Sequence, residues 1–251
     1  MKNFITPQEL VNIQKNVVIL DVRGDKAYAA GHIEGAFVVN LAGDLSGPVE
    51  EHGGRHPLPN MVEFAKKMER FGITKDSTVV ICDRWIFLAG RLWWMLHYIG
   101  LENVKVLEGG IERWVKEGHS LATESTASPT EIGKLDYRLQ PHMLMSRAEV
   151  LAASENGDHI IVDARAGERY DGSVIDTMDG MTGHIPTAVN YYWEDCFTAN
   201  GLKPEAELNE MFKDLKTTKT PIVTYCGSGI TACLATVSYT HLRAHETRED
   251  L

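Results

Sequence analysis

The sequence predicts an α/β protein built as two tandem domains, each a central parallel sheet flanked by helices. Three observations carry this. The chain repeats itself at long range, and strand-like runs alternate with helix-like runs inside each copy. A chain of 251 residues, 43% hydrophobic and 24% charged, is also long enough and apolar enough to fill two ordinary cores.

The repeat is visible residue by residue. "VVILDVRGDKAYAAGHIEGAFVVN" at 17–40 returns as "IIVDARAGERY" and "TGHIPTAVN" between 160 and 190. Each copy runs from an apolar strand to Asp-x-Arg, an aromatic residue, Gly-His-Ile and a second apolar run ending in Asn. Further on, "VVICDRWIFLA" at 79–89 aligns without gaps on "IVTYCGSGITA" at 222–232, which sets Asp83 opposite Cys226.

The elements follow in the same order in both copies. In the first, strands are expected at 17–21 and 36–40, then an amphipathic helix at 60–71 that places Met61, Phe64, Ala65 and Met68 at helical spacing. A third strand begins at Val79. In the second copy the strands are expected at 160–163, 188–192 and 222–225, with the helix at 204–215. Strands alternating with helices imply parallel pairing. Between the copies, "SLATESTASPTEIGKLDY" is rich in Ser and Thr and lacks apolar periodicity. The expected division is therefore a first domain at 1–122, a linker at 123–137 and a second domain at 138–251.

Composition narrows the partners. The net charge is −10 and no Lys/Arg run interrupts it, so neither nucleic acid nor an anionic membrane is an expected partner. No apolar run approaches the roughly 18 residues of a membrane helix. "MKNFITPQELVNIQKN" lacks the apolar core of a signal peptide, so a cytoplasmic location is expected. The four cysteines, Cys82, Cys196, Cys226 and Cys233, form no C-x-x-C pair. Reduced thiols follow, with no zinc spacing and no implied metal or organic cofactor.

Cys226 stands apart from the other three. It ends an apolar strand, and in open parallel sheets ligands bind at the carboxyl ends of strands. Gly227 and Gly229 allow tight turns that aim amides inward. A run of inward amides followed by a helix N-terminus makes an anion cradle, which favours a thiolate and the anion formed from it. Cys82, by contrast, has the character of a packed thiol. Asp21 with Arg23, Asp163 with Arg165, and the Gly-His-Ile histidines His32 and His184 occur in both copies. They are expected to be scaffold, because only one copy carries the loop cysteine.

The paired Asp-x-Arg and Gly-His-Ile-x-x-Ala-x-Asn elements, with Cys-Gly-Ser-Gly-Ile-Thr in the second copy only, resemble the tandem-domain rhodanese sulfurtransferases. That family includes the thiosulfate and the 3-mercaptopyruvate sulfurtransferases. The resemblance covers roughly residues 11–237. It implies two rhodanese-like domains, the first catalytically silent, as Asp83 in place of cysteine suits. It also implies ping-pong transfer through a Cys226 persulfide, from a small anionic sulfur donor to cyanide, a thiol or a protein thiol. The amides of Gly227, Ser228, Gly229, Ile230 and Thr231 would then hold the sulfur's charge, and Arg169 would bind the donor. Asp44, Arg55 and His56 of the first domain are possible cleft residues by the same resemblance. Mercaptopyruvate enzymes usually carry a second arginine a few residues after the first, whereas this chain has Met178 near that place. The uncharged Cys-Gly-Ser-Gly loop points the other way, so the donor stays open between the two.

Two rival classes remain. A phosphatase of this fold would need an arginine six residues after the nucleophile, and Ala232 stands there. A non-catalytic binding module is the other alternative. It gains from the end of the chain, where "CLATVSYTHLRAHETREDL" matches neither the strand nor the Trp-bearing helix of the first copy. "SYTHLRAHETREDL" resembles translated adaptor sequence, so native-like sequence is expected to about residue 237 and residues 238–251 form a doubtful tail. The second domain is expected to be truncated, with a short, poorly packed helix from Ile230 and an exposed sheet edge.

Overall fold

A computed structural model of the chain describes residues 3–50, 54–175, 177, 180, 182–198 and 201–246. The first half comprises β1 (Phe4–Ile5), α1 (Pro7–Ile13), β2 (Val18–Asp21), α2 (Asp25–Ala30), β3 (Ala36–Val38) and α3 (Met61–Arg70). It continues with β4 (Val79–Cys82), α4 (Ala89–Tyr98), β5 (Val104–Leu107) and α5 (Gly110–Lys116). The five strands pair in parallel in the order β1-β5-β4-β2-β3. All four residues of β4 are buried. An unbroken apolar run is what a strand covered on both faces requires. Helix α3 begins at Asn60, whose side chain accepts from the Val62 and Glu63 amides, and it buries Phe64, Ala65 and Met68 against the sheet.

The second half repeats the plan with a three-stranded parallel sheet in place of five strands. It runs through α6 (Arg147–Asn156), β6 (Ile160–Asp163), α7 (Gly167–Tyr170), β7 (Val189–Asn190), β8 (Phe197–Thr198) and β9 (Gly201–Leu202). It ends with α8 (Glu205–Met211), α9 (Lys213–Lys216), β10 (Ile222–Tyr225) and α10 (Thr231–Glu246). The parallel sheet has the order β10-β6-β7, and β8 and β9 form a separate antiparallel pair. Ile160 to Asp163 pair one for one with Ile222 to Tyr225, as Val18 to Asp21 pair with Val79 to Cys82. The gapless sequence alignment is thus realised as strand register.

Two elements depart from expectation. The single helix foreseen at 204–215 is two, because the backbone turns out of helical geometry at Phe212, whose ring is buried between Tyr191 and Tyr239. The helix after the Cys226 loop is neither short nor poorly packed. It runs Thr231–Glu246 and buries Leu234, Val237 and Leu242 in one core with Leu92, Leu96 and Ile81 of the first half. Its packing partner is α4. A Cβ on Gly90 would stand 2.7 Å from Leu234, so only glycine permits this approach. Among the described residues no strand pairs with the outer side of β10, where β4 has β5.

The halves share more than one helix pair. The Asn3 side chain donates to the Val237 carbonyl at 3.1 Å and to Thr240 Oγ1 at 3.0 Å. Trp85 packs against Trp193 and Phe197, with ring centroids 6.1 and 5.9 Å apart. Among the described residues no helix is long and apolar enough to cross a membrane.

Candidate active site

The turns at the strand ends come first, because they frame the site in both halves. Asp21 and Asp163 are fully buried. Each carboxylate receives the guanidinium two residues on, with Nη2–Oδ2 distances of 2.6 Å for both Arg23 and Arg165. The same Nη2 atoms reach the Gly31 and Gly183 carbonyls at 2.6 and 2.7 Å. His32 stacks on Tyr28 at 3.7 Å and His184 on Tyr170 at 3.8 Å. Identical geometry in two copies ties each crossover to its strand and marks these groups as scaffold.

The loops after β4 and β10 differ in what fills them. Asp83 is buried, and its carboxylate accepts from the amides of Arg84 (2.6 Å), Leu88 (2.5 Å) and Ala89 (3.2 Å). Burial pushes this carboxyl above the usual range, and the three amides pull it back. The loop is an anion cradle closed by its own side chain. Cys226 occupies the corresponding position after β10 but is only half-buried. Gly229 adopts φ +71°, a left-handed conformation that favours glycine.

Cys226, Gly227, Ser228 and Gly229 line a cavity of about 1360 Å³, to which the first half contributes Gly54, His56 and Arg91. A Cβ on Gly54 would lie 3.9 Å from the Gly227 carbonyl, so the segment leading to His56 lies over the loop. The other three cysteines are buried. Burial pushes the Cys196 and Cys233 thiols up to about 12 and raises the Cys82 thiol well above its ordinary value. Cys226 is the one of the four that is not buried. Among the described residues no group of His, Cys, Asp and Glu is arranged to hold a metal ion.

The expected residues are not all gathered here. Ile230 is buried behind the loop and Thr231 begins α10. Arg169 lies half-buried on α7, beyond the carboxyl end of β6, and does not line the cavity. Arg55 does not line it either, although its neighbours Gly54 and His56 do. Asp44, expected at the cleft, is instead held by Lys67 at 2.5 Å and by the Asn40 amide at 2.8 Å, which fastens the turn before α3. Met178 lies outside the described residues. Arg91 was not foreseen: "GRLWWMLHYIG" has the pattern of a packed aromatic helix. Its one signal is an arginine inside an apolar run, a residue type almost never fully buried without a partner.

A family model described as rhodanese-like domain matches residues 6–117 and 146–248. The chain is 34% identical over 237 residues to the "Probable 3-mercaptopyruvate sulfurtransferase" of Pseudomonas aeruginosa, covering 88% of this chain and 81% of that one. It is also 34% identical over 230 residues to the "Putative thiosulfate sulfurtransferase SseB" of Mycobacterium tuberculosis, covering 87% and 80%. The crystal structure of SseA from Escherichia coli, described among the 3-mercaptopyruvate sulfotransferases, superposes with a TM-score of 0.83 at 28% identity over 97% of this chain and 95% of that one.

Proposed function

The chain belongs to the rhodanese-like family and is a sulfurtransferase, and from that premise we propose that Cys226 is the nucleophile and 3-mercaptopyruvate the donor. The observation that carries the assignment of Cys226 is the filled loop of the first half. There, three amides hold a carboxylate where the second loop sets a sulfur. The counterparts of those amides are Gly227, Thr231 and Ala232, so the same cradle is poised for a sulfur anion. Ser228, Gly229 and Ile230 complete it. The two domains of this proposal are residues 1–122 and 138–251, joined by 123–137.

The chemistry runs in two halves. The Cys226 thiolate attacks the donor sulfur, and the C–S bond breaks. Its electron pair leaves as the enolate of pyruvate, which takes up the donor's thiol proton on carbon. Cys226 is left as a persulfide anion in the cradle. Cyanide or an acceptor thiolate then attacks the outer sulfur, the S–S bond breaks, and the Cys226 thiolate returns. Arg169 would meet the donor carboxylate as the bidentate partner that planar anions favour, and His56 would line the donor's path. Free thiols of this kind suit a reducing compartment such as the cytoplasm.

The choice of 3-mercaptopyruvate rests on the uncharged Gly227-Ser228-Gly229 loop and on the names of the Pseudomonas and Escherichia relatives. Thiosulfate is the second reading, favoured by the name of the Mycobacterium relative. In that case Cys226 attacks the outer sulfur and sulfite leaves. Thiocyanate formation from cyanide, with both donors run side by side, separates them. Faster turnover with 3-mercaptopyruvate is expected, and faster turnover with thiosulfate would overturn the donor assignment. Cys226→Ser is expected to abolish both, and retained turnover would remove Cys226 as nucleophile.

A further inference from the structure

Arg91 is a buried cation without a counter-charge. It sits in the first turn of α4 and is 4% exposed. Its hydrogen bonds to oxygen all go to carbonyls: Nη1 donates to Gly229 at 3.0 Å, and Nη2 donates to Leu45 at 3.2 Å and to His56 at 3.1 Å. Its Nε has no partner, and among the described residues no carboxylate pairs with it. A charge buried this deeply is costly unless an anion meets it. Burial pushes the guanidinium pKa down, and the sulfurs of Cys233 and Cys226 push it back up. Of these two, Cys233 is kept a thiol by its own burial and donates to the Gly229 carbonyl at 3.3 Å.

The geometry also acts on the loop. With the Gly229 carbonyl drawn to Arg91 and Cys233, the trans peptide turns the Ile230 amide to the opposite side. A Cβ on Gly229 would come 3.1 Å from Arg91 Nη1, so the glycine admits the guanidinium as well as the left-handed turn. One side chain thereby ties the Cys226 loop, the Leu45 turn and the His56 segment together.

Resting on the assignment of Cys226 as nucleophile, we propose that Arg91 is a positioning residue of the sulfur-transfer site. The first domain delivers it across the interface to orient the loop through the Gly229 carbonyl and to supply the counter-charge for the sulfur anion at Cys226. The silent domain then has a chemical task although it carries no nucleophile.

Arg91→Gln and Arg91→Lys in the full chain test this, read by the pH profile of Cys226 alkylation with iodoacetamide, with Cys226→Ser as the blank. Arg91→Gln is expected to move the profile toward alkaline pH by about one unit. Its kcat/KM at neutral pH should fall about tenfold and recover as pH rises. Arg91→Lys keeps the charge and should keep the profile. An unmoved profile in folded Arg91→Gln, or an equal displacement in Arg91→Lys, would overturn the proposal. If Arg91→Gln does not fold, Cys226→Ser decides: it has no sulfur anion at the loop and is expected to melt below the persulfide form of the unsubstituted chain, and equal melting would overturn the proposal. Turnover surviving in Cys226→Ser would instead sink the nucleophile itself, so the two failures are distinguishable.

Discussion

The loops that follow β4 and β10 align without gaps and leave equivalent strands, yet one closes on a carboxylate and the other presents a thiol to a cavity. Asp83 is buried and saturates three amides. Cys226 is half-buried beside two glycines. The cradle is therefore a property of the strand-to-helix turn, and the two loops differ in one side chain and its exposure. The comparison extends into the helices. Continued past Ala89 and Ala232, the alignment sets Gly90 opposite Cys233 and Arg91 opposite Leu234. At these paired positions each helix sends a side chain across the interface: Leu234 packs on Gly90, and Arg91 bonds the Gly229 carbonyl. One crossing contributes packing and the other contributes charge.

The largest effect should come from erasing the difference. Cys226→Asp gives the second loop the first loop's side chain. Turnover is expected to fall at least about a thousandfold, while the urea midpoint is held or raised by the newly filled amides. Substantial turnover in that variant would break the analogy between the loops.

Asp83→Ala tests the cradle from the other side. It strands three amides in a buried loop, and a loss of about 3 kcal/mol in urea unfolding is expected. Loss below about 0.5 kcal/mol would mean that the amides do not depend on the carboxylate. The effect has a pH sign. Burial holds the folded carboxyl above its unfolded value, so its contribution is complete in acid and declines as pH rises through the folded value. The gap between the unsubstituted chain and Asp83→Ala should be wider in mild acid than at neutral pH.

Two glycine substitutions sharpen the interface. In Gly90→Ala the new Cβ meets Leu234 at 2.7 Å, and about 2 kcal/mol of destabilisation is expected from overpacking, with little change in KM. Gly229→Ala keeps the fold but strains a residue at φ +71°. About 1 kcal/mol is expected there, read as a several-fold loss of kcat/KM. If Gly229→Ala left kcat/KM unchanged, the left-handed turn would not be needed for the cradle.

Much of this molecule was legible in the residues. The internal repeat identified two units of one plan, and the strands at 160–163 and 222–225 form as expected because short apolar runs between turn residues encode them locally. The loop glycines singled out Cys226 among four cysteines for the same local reason. Other features were not legible. Phe212 interrupts a helix pattern because its ring finds Tyr191 and Tyr239. Asp44 has the look of a cleft acid until Lys67 is seen against it.

By itself the sequence determined the parallel α/β plan, its duplication and the place of Cys226 at the end of its strand. Each of these depends on periodicity and turn chemistry within a few residues. The tertiary structure alone decided that α10 packs on α4, that both halves share one core, and that Arg91 reaches a loop 138 residues away. Whether a charge can be buried depends on which groups surround it, and those groups come together only when the chain has closed.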